Sequence, residues 1–386
     1  MKIIFLEAVI DHGGARKSTI ELAKRISALG HDVLIVDFWG GCAPFIDDVN
    51  KAKIALKILD KRDKPLVIQN KSKVKLVRNI FMHYFLENQY KKLFSKIAKD
   101  FQADVVNVNN IKCLRILDPR GSYKIDYLAR GWFEYKNLSL YTKKILKRYK
   151  LRFLTVSQST RQAIFTGGIA EFENIQVLTD VIDTKVFDSY EPTYKPFGYY
   201  NPIKILFSGG FLKTKGQHVC IEIAKNLKEK NIPFKMYLTG IIYAGINSEK
   251  YYHHILSLID RYELKSHVEV VLNPPNIMDY FKSTDILIHP SYTEGLPRVA
   301  LEALAFGKPI IANPVGGVTD VVIHDLTGFI TDFNAVSQYV EYISIYSTNQ
   351  DVYKKHSLVA RQLISQNYLD YHQIKSLEKI YPISEQ

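Results

Sequence analysis

Two carboxylates, Glu294 and Glu302, stand eight positions apart in the segment Asp285–Val318, DILIHPSYTEGLPRVALEALAFGKPIIANPVGGV. The segment reads as strand, loop, helix, strand and loop. Pro297 suits the first turn of the helix. A helix start offers unpaired N–H groups and a positive dipole end, which suit a phosphate. Glu294 then sits at the loop tip and Glu302 about one turn inside the helix, both near that phosphate. An anionic ligand beside two carboxylates must bring hydroxyls for them to accept from, which points to a sugar and a ribose flanking a diphosphate. Taken alone, the pair also reads as a loop carboxylate and a solvated helix residue; the surrounding Gly295, Pro297 and Gly316-Gly317 favour the ligand reading.

Other single residues carry two readings each. Lys215 follows a strand and the Gly209-Gly210 turn and precedes Gly216; it is a functional residue or a solvated loop lysine. Arg130 is a site cation or a surface arginine stacked on Trp132. His289, closing an apolar run, reads as a packed strand histidine rather than a base.

These residues need a scaffold. Ile3–Leu6 is an apolar run, Gly13-Gly14 breaks it, and Ile20, Leu22, Ala23, Ile26 and Leu29 recur at helical spacing before Gly30. Val33–Val36 is the next apolar run, and this βαβ start predicts a parallel sheet covered by helices. Phe101–Val108 and Arg152–Val156 read as later strands. Tyr190–Pro202, with three prolines, reads as a linker. A second α/β pattern follows, with strands expected at Ile203–Ser208, Phe234–Thr239, Val268–Leu272, Asp285–His289 and Pro309–Ala312 and helices at Gly216–Glu229 and Arg298–Phe306. The expected fold is α/β, two Rossmann-like domains facing a cleft. The expected limits are 1–189 for the first domain, 190–202 for the linker, 203–365 for the second domain, and 366–386 for a helix crossing back to the first.

Composition narrows the class. The 386 residues are 47% hydrophobic and 24% charged, which excludes a disordered or collagen-like chain. The longest run without Lys, Arg, Asp or Glu is Met236–Ser248, 13 residues; a membrane-spanning helix needs about 20. Cys42, Cys113 and Cys220 are far apart and odd in number, which fits a reducing, cytoplasmic compartment. Residues 1–200 hold 34 Lys/Arg against 21 Asp/Glu, while residues 201–386 hold 18 of each. The whole net charge of +13 therefore lies in the first half, which favours an anionic partner there. Gln69–Lys99 interleaves lysines with Phe81, Tyr84, Phe85, Leu93, Phe94 and Ile97, and Lys136–Arg152 holds seven basic residues and no acid. The first stretch is a solvated helix face or a surface for an anionic membrane. No nucleic-acid module is visible, so nucleic acid is not an expected partner.

The block EGLPRVALEALAFGKPIIANPVGG resembles the donor-site signature of retaining glycosyltransferases with the GT-B fold, of the family-four type (glycosyl transferases group 1). Supporting resemblances are GGARKSTIELAKRISALGHDVLIVD to that family's opening glycine loop and helix, FLTVSQSTRQAI, DVIDTKVF, ILFSGGFLKTKG, and the closing YLDYHQIKSLEKIY. The resemblance implies that Glu294 holds hydroxyls of the donor sugar, that Gly295, Leu296 and Pro297 bring backbone to sugar and phosphate, and that Glu302 binds the ribose. Lys215 would neutralise the diphosphate, and Gly209, Gly13 and Gly14 would let backbone approach it. It further implies a nucleotide-diphosphate sugar as donor, retention at the anomeric carbon, and no metal, other cofactor or protein nucleophile. The donor's own phosphate oxygen would take the acceptor's proton. The acceptor would be a growing surface glycan or lipid-linked acceptor of lipopolysaccharide or capsule type, reached from the cytoplasmic side, peripherally on the membrane.

The chain departs from that family in places. Arg is common where this chain has Gly210, with Arg298 a substitute cation, and His is common near the Arg130 segment. A binding or scaffold protein without transfer is the alternative these departures motivate. GGARKST also resembles the phosphate loop of deviant Walker ATPases, but Arg16 stands where that loop needs Gly, and a side chain there obstructs the wrap around a phosphate. Arg16, Lys17 and Ser18 instead read as a helix's first turn.

Overall fold

The computed structural model describes residues 1–10, 13–62, 73–131, 138–195, 197–198, 200–243 and 246–383. Trp132, Gln69 and Lys136, invoked above, lie outside them, as does the side chain of Phe81. The chain forms two units. The first comprises Met1–Val156, Thr160–Leu178 and the chain from Ile374 onward; the second comprises Ser157–Ser159 and Thr179–Gln373. The second unit thus begins ahead of the proline segment.

The first unit holds β1 (Lys2–Glu7), β2 (Asp32–Asp37), β3 (Ala55–Ile58), β4 (Val105–Val108), β5 (Lys124–Ala129), β6 (Leu151–Thr155) and β7 (Ile175–Val177). They lie in the order β3-β2-β1-β4-β5-β6-β7, every neighbour parallel. Ile3, Ile4, Phe5 and Leu6 are all buried, as a strand covered on both faces requires. The strand order reverses between β1 and β4, the position where α/β sheets take ligands beyond the strands' carboxyl ends.

The strand expected over Phe101–Val108 is a correction. Leu86, Tyr90, Phe94 and Ala98 recur every fourth residue as the buried stripe of the helix Lys73–Phe101, which carries the chain through Phe101. Gln102 then turns left-handed (φ 56°), and the Ala103 N–H bonds the Ala98 carbonyl, so β4 begins only at Val105. The strand β5 was not readable because Asp126 interrupts its apolar run. That carboxylate is fully buried and satisfied by the Arg152 guanidinium at 2.8 and 2.7 Å and by the Tyr381 hydroxyl at 2.7 Å. Tyr381 is itself buried, and its carbonyl meets His31 Nε2 at 3.0 Å, which seats the chain's last turn in the first unit.

The second unit holds β8 (Ile203–Ser208), β9 (Phe234–Gly240), β10 (Val268–Leu272), β11 (Ile286–His289), β12 (Ile310–Ala312) and β13 (Gly328–Ile330). Their order is β10-β9-β8-β11-β12-β13, again wholly parallel. Helices Gln217–Glu229 and Arg298–Ala305 follow β8 and β11 respectively. Both fall within a residue of the sequence expectation. No described helix is long and apolar enough to cross a membrane.

Candidate functional site

Two loops of the second unit, one after β8 and one after β11, carry the candidate residues. These strands are neighbours in the sheet, so the loops leave the same edge side by side. In the first loop, Gly209-Gly210 leads to a short turn, Lys213–Lys215, and Gly216 with φ +82° starts the following helix. Gly216 is required twice: by that backbone, and because a Cβ there would lie 2.2 Å from the Pro290 carbonyl of the second loop. The Tyr292 N–H donates to the Thr214 carbonyl at 2.9 Å and ties the loops again.

This stitching brings Lys215 to Glu294. The ammonium donates to Glu294 Oε1 at 2.7 Å, and His289 Nε2 meets the same oxygen at 3.1 Å. Glu294 is only 9% exposed. Burial alone pushes its pKa up, but the hydrogen bond from His289 and the charge of Lys215 outweigh it and hold it at about 2. The carboxylate is therefore ionised at neutral pH. Among the described residues its bonds all fall on Oε1, which leaves Oε2 able to accept from a ligand hydroxyl. His289 is a packed strand residue, as its apolar run implied, and it also aims the carboxylate.

The remaining second-unit residues surround this pair. Gly209 lies against Lys215, a Cβ on it being 3.9 Å from the lysine's own Cβ. Gly295 gives its carbonyl to the Gly317 N–H at 2.6 Å, which fixes the loop between Glu294 and the helix. Leu296 is buried and Pro297 caps the helix Arg298–Ala305. Arg298 lies 3.8 Å from Glu302 one helical turn on, so it neutralises the carboxylate expected to hold the ribose.

Sequence reasoning missed the supports. Asn313, after β12, is fully buried; its amide donates to the Ser291 carbonyl at 3.1 Å, and its oxygen accepts from Tyr339 at 3.1 Å. His218 bridges the hydroxyls of Tyr251, at 2.8 Å, and Tyr292, at 3.0 Å. Desolvation, then Lys213 and His254, lower its pKa. Nothing in the sequence signals these contacts, because each joins segments far apart in the chain. Three buried polar atoms on the two loops and the helix start, Gln217 Oε1, His289 Nδ1 and Ser291 Oγ, have no partner among the described residues. Such atoms mark where a ligand or water completes the bonding.

In the first unit, Gly13 precedes the helix Gly14–Ala28, and its carbonyl accepts from the Arg16 and Lys17 N–H groups at 3.0 and 3.2 Å. Arg16 is held at 2.6 Å by Glu7, a buried carboxylate at the end of β1 that Thr19 and Asn109 also bond. Arg16 to Ser18 thus form a helical first turn. Arg130 donates to the Ala15 carbonyl at 2.6 Å and so lies beside Gly14, the two candidates meeting at the end of β5 and the start of the first helix. Among the described residues, no group of His, Cys, Asp and Glu is placed to hold a metal ion.

Residues 195–362 match the family described as Glycosyl transferases group 1. The D-inositol 3-phosphate glycosyltransferase of Arthrobacter sp. (strain FB24) is 27% identical over 180 residues, 45% of this chain and 41% of that protein. The capsular polysaccharide biosynthesis glycosyltransferase CapM of Staphylococcus aureus is 25% identical over 199 residues, 49% of this chain and 50% of that protein. The matches thus span half or less of the length of these relatives. The crystal structure of Anabaena Alr3699/HepE, solved with UDP and glucose, aligns over 99% of this chain and 100% of its own with a TM-score of 0.78 and 18% identity. That likeness shows the fold, the GT-B arrangement of two parallel α/β sheets.

Proposed function

We propose that this chain, whose residues 195–362 match the glycosyl transferases group 1, moves a sugar from a nucleoside-diphosphate sugar, with retention, to a growing surface glycan or lipid-linked acceptor. The observation that carries the reading is the buried Glu294 carboxylate, held ionised by Lys215 and His289 with one oxygen that no described residue bonds. In this reading Glu294 Oε2 accepts from hydroxyls of the transferred sugar. Lys215, between that carboxylate and the glycine turn, stabilises the charge that develops on the departing diphosphate. Glu302 accepts from the ribose, with Arg298 beside it. A phosphate oxygen of the donor takes the acceptor's proton, so no metal or protein nucleophile enters.

CapM's name ties a relative to capsular polysaccharide, which supports the surface-glycan acceptor. The helix Lys73–Phe101 supports contact with an anionic membrane from the cytoplasmic side: Phe94 is buried and Ile97 packs on the core, but Tyr84 and Phe85 are more than 60% exposed beside Lys92 and Lys96. The test is incubation with nucleoside-diphosphate sugars, reading slow release of the nucleotide by hydrolysis and then transfer to glycan acceptors. Turnover of one donor is expected. Binding without turnover, with or without acceptor, favours the scaffold protein that Gly210 and Arg130 motivated.

A further inference from the structure

The β8–β9 ladder does not stop at the strand ends. The Gly209 N–H bonds the Thr239 carbonyl at 3.0 Å and the Phe211 N–H bonds the Ile241 carbonyl at 2.9 Å, so residues 241–243 run beside the glycine turn. Tyr243 is fixed there through Ser248, whose hydroxyl oxygen accepts from the Tyr243 N–H at 3.0 Å and whose proton goes to the Phe211 carbonyl at 2.8 Å. The tyrosine ring lies where a side chain on residue 210 would begin: a Cβ on Gly210 would stand 2.3 Å from its Cε2 and 2.9 Å from its hydroxyl oxygen. The same turn is tied to the candidate phosphate cation. Gln217, two residues after Lys215, donates to the Gly210 carbonyl at 2.8 Å, while the Gly210 N–H has no acceptor among the described residues.

We propose that Tyr243 is a specificity-determining residue of the donor site, its hydroxyl donating a hydrogen bond to the diphosphate from the place that a side chain at position 210 would otherwise take. The inference rests on the donor reading above and adds to it. Residue 210 is glycine because the tyrosine occupies its side-chain space, and the polar group that reaches the phosphates is delivered from the neighbouring strand. A neutral phenol binds through one directed bond where a cation would bind through charge, so recognition at this point responds weakly to salt.

The test is calorimetric titration of the whole chain with the nucleoside diphosphate that most raises its melting temperature, and with the corresponding nucleoside. Tyr243→Phe removes one hydroxyl and is expected to keep the melting temperature. It should weaken the diphosphate about tenfold and leave the nucleoside unchanged, as loss of one bond to a charged group implies. Gly210→Ala should weaken the diphosphate similarly by displacing the ring, yet add nothing on top of Tyr243→Ala, because the clash is then gone. Unchanged diphosphate affinity in Tyr243→Phe, an equal loss for the nucleoside, or additive Gly210→Ala and Tyr243→Ala losses would each overturn the inference alone. A wild-type chain that binds no nucleoside diphosphate would overturn it together with the donor reading.

Discussion

Glu294 concentrates the chemistry of the second unit in one oxygen pair, and its ionisation couples the site to stability. Its pKa falls from an ordinary 4.5 to about 2 on folding. A depressed carboxylate stabilises the fold above its unfolded pKa, and that contribution is lost as pH falls through the folded value. The window here is therefore between about pH 4.5 and pH 2. Lys215→Met removes one of the two cationic or donating partners, so the folded pKa should rise toward 4.5, and the acid-side loss of stability should be smaller and complete at higher pH than in the wild type. At neutral pH the variant should lose about 3 kcal/mol, since a buried charge is left with one partner fewer. Melting curves from pH 2 to pH 7 read both effects, and an equal loss of stability between pH 7 and pH 2 in the two proteins would dismiss the coupling. Glu294→Gln keeps the size and the Lys215 acceptor but removes the charge; transfer should fall about a hundredfold, and the melting temperature should drop at neutral pH and lose its dependence on pH between about 4.5 and 2. The sequence carried Glu294, Lys215, the glycines and Pro297, because contiguous motifs report on one loop at a time. It did not carry His289's bond to Glu294, His218 or Asn313, because those contacts arise only when the sheet brings separate loops to one edge.

Loops after β8 and β11 hold together through backbone contacts that tolerate no side chain. At Gly317, whose N–H bonds the Gly295 carbonyl, a Cβ would lie 2.1 Å from that oxygen and 2.6 Å from Ser157 Cβ. Neither neighbour is a flexible chain end. Gly317→Ala should cost about 2 kcal/mol or more and displace the loop that bears Glu294. Gly131, where a Cβ would meet no described atom within 4 Å, is the control, and Gly131→Ala should stay within about 0.5 kcal/mol of the wild type. Urea unfolding of both variants decides; equal midpoints would remove the packing argument. Tyr381→Ala should cost about 3 kcal/mol or more, because it empties a fully buried site and strips a hydrogen bond from Asp126. Elements with apolar runs, such as β1, β8 and β11, were legible. The strand β5 and the Phe101 helix end were not, since a buried ion pair disguised the one and a long amphipathic stripe overran the other.

Across the whole molecule, charge is divided by chain half, 34 basic against 21 acidic residues before position 201 and 18 of each after it. Fold does not require that division, because the two sheets share one architecture and differ in surface. The helix Lys73–Phe101 shows what the excess accompanies. Its buried stripe is Leu86, Tyr90, Phe94 and Ala98, while Tyr84, Phe85, Lys92, Leu93, Lys96 and Lys99 are exposed. Exposed aromatic residues among lysines give an anionic bilayer both charge attraction and apolar side chains to insert. The chain should therefore sediment with vesicles containing phosphatidylserine at low salt and not with vesicles of phosphatidylcholine alone. At 1 M salt the screening length falls to about 3 Å and most of the binding should be released. Lys92→Glu with Lys96→Glu should weaken binding and flatten its salt dependence, whereas Tyr84→Ser with Phe85→Ser should weaken it while leaving that dependence intact. The contrast assigns charge and insertion to different residues of one helix. Binding indifferent to salt and to both pairs of substitutions would detach the basic half from the membrane, and the charge asymmetry would then need another anionic partner.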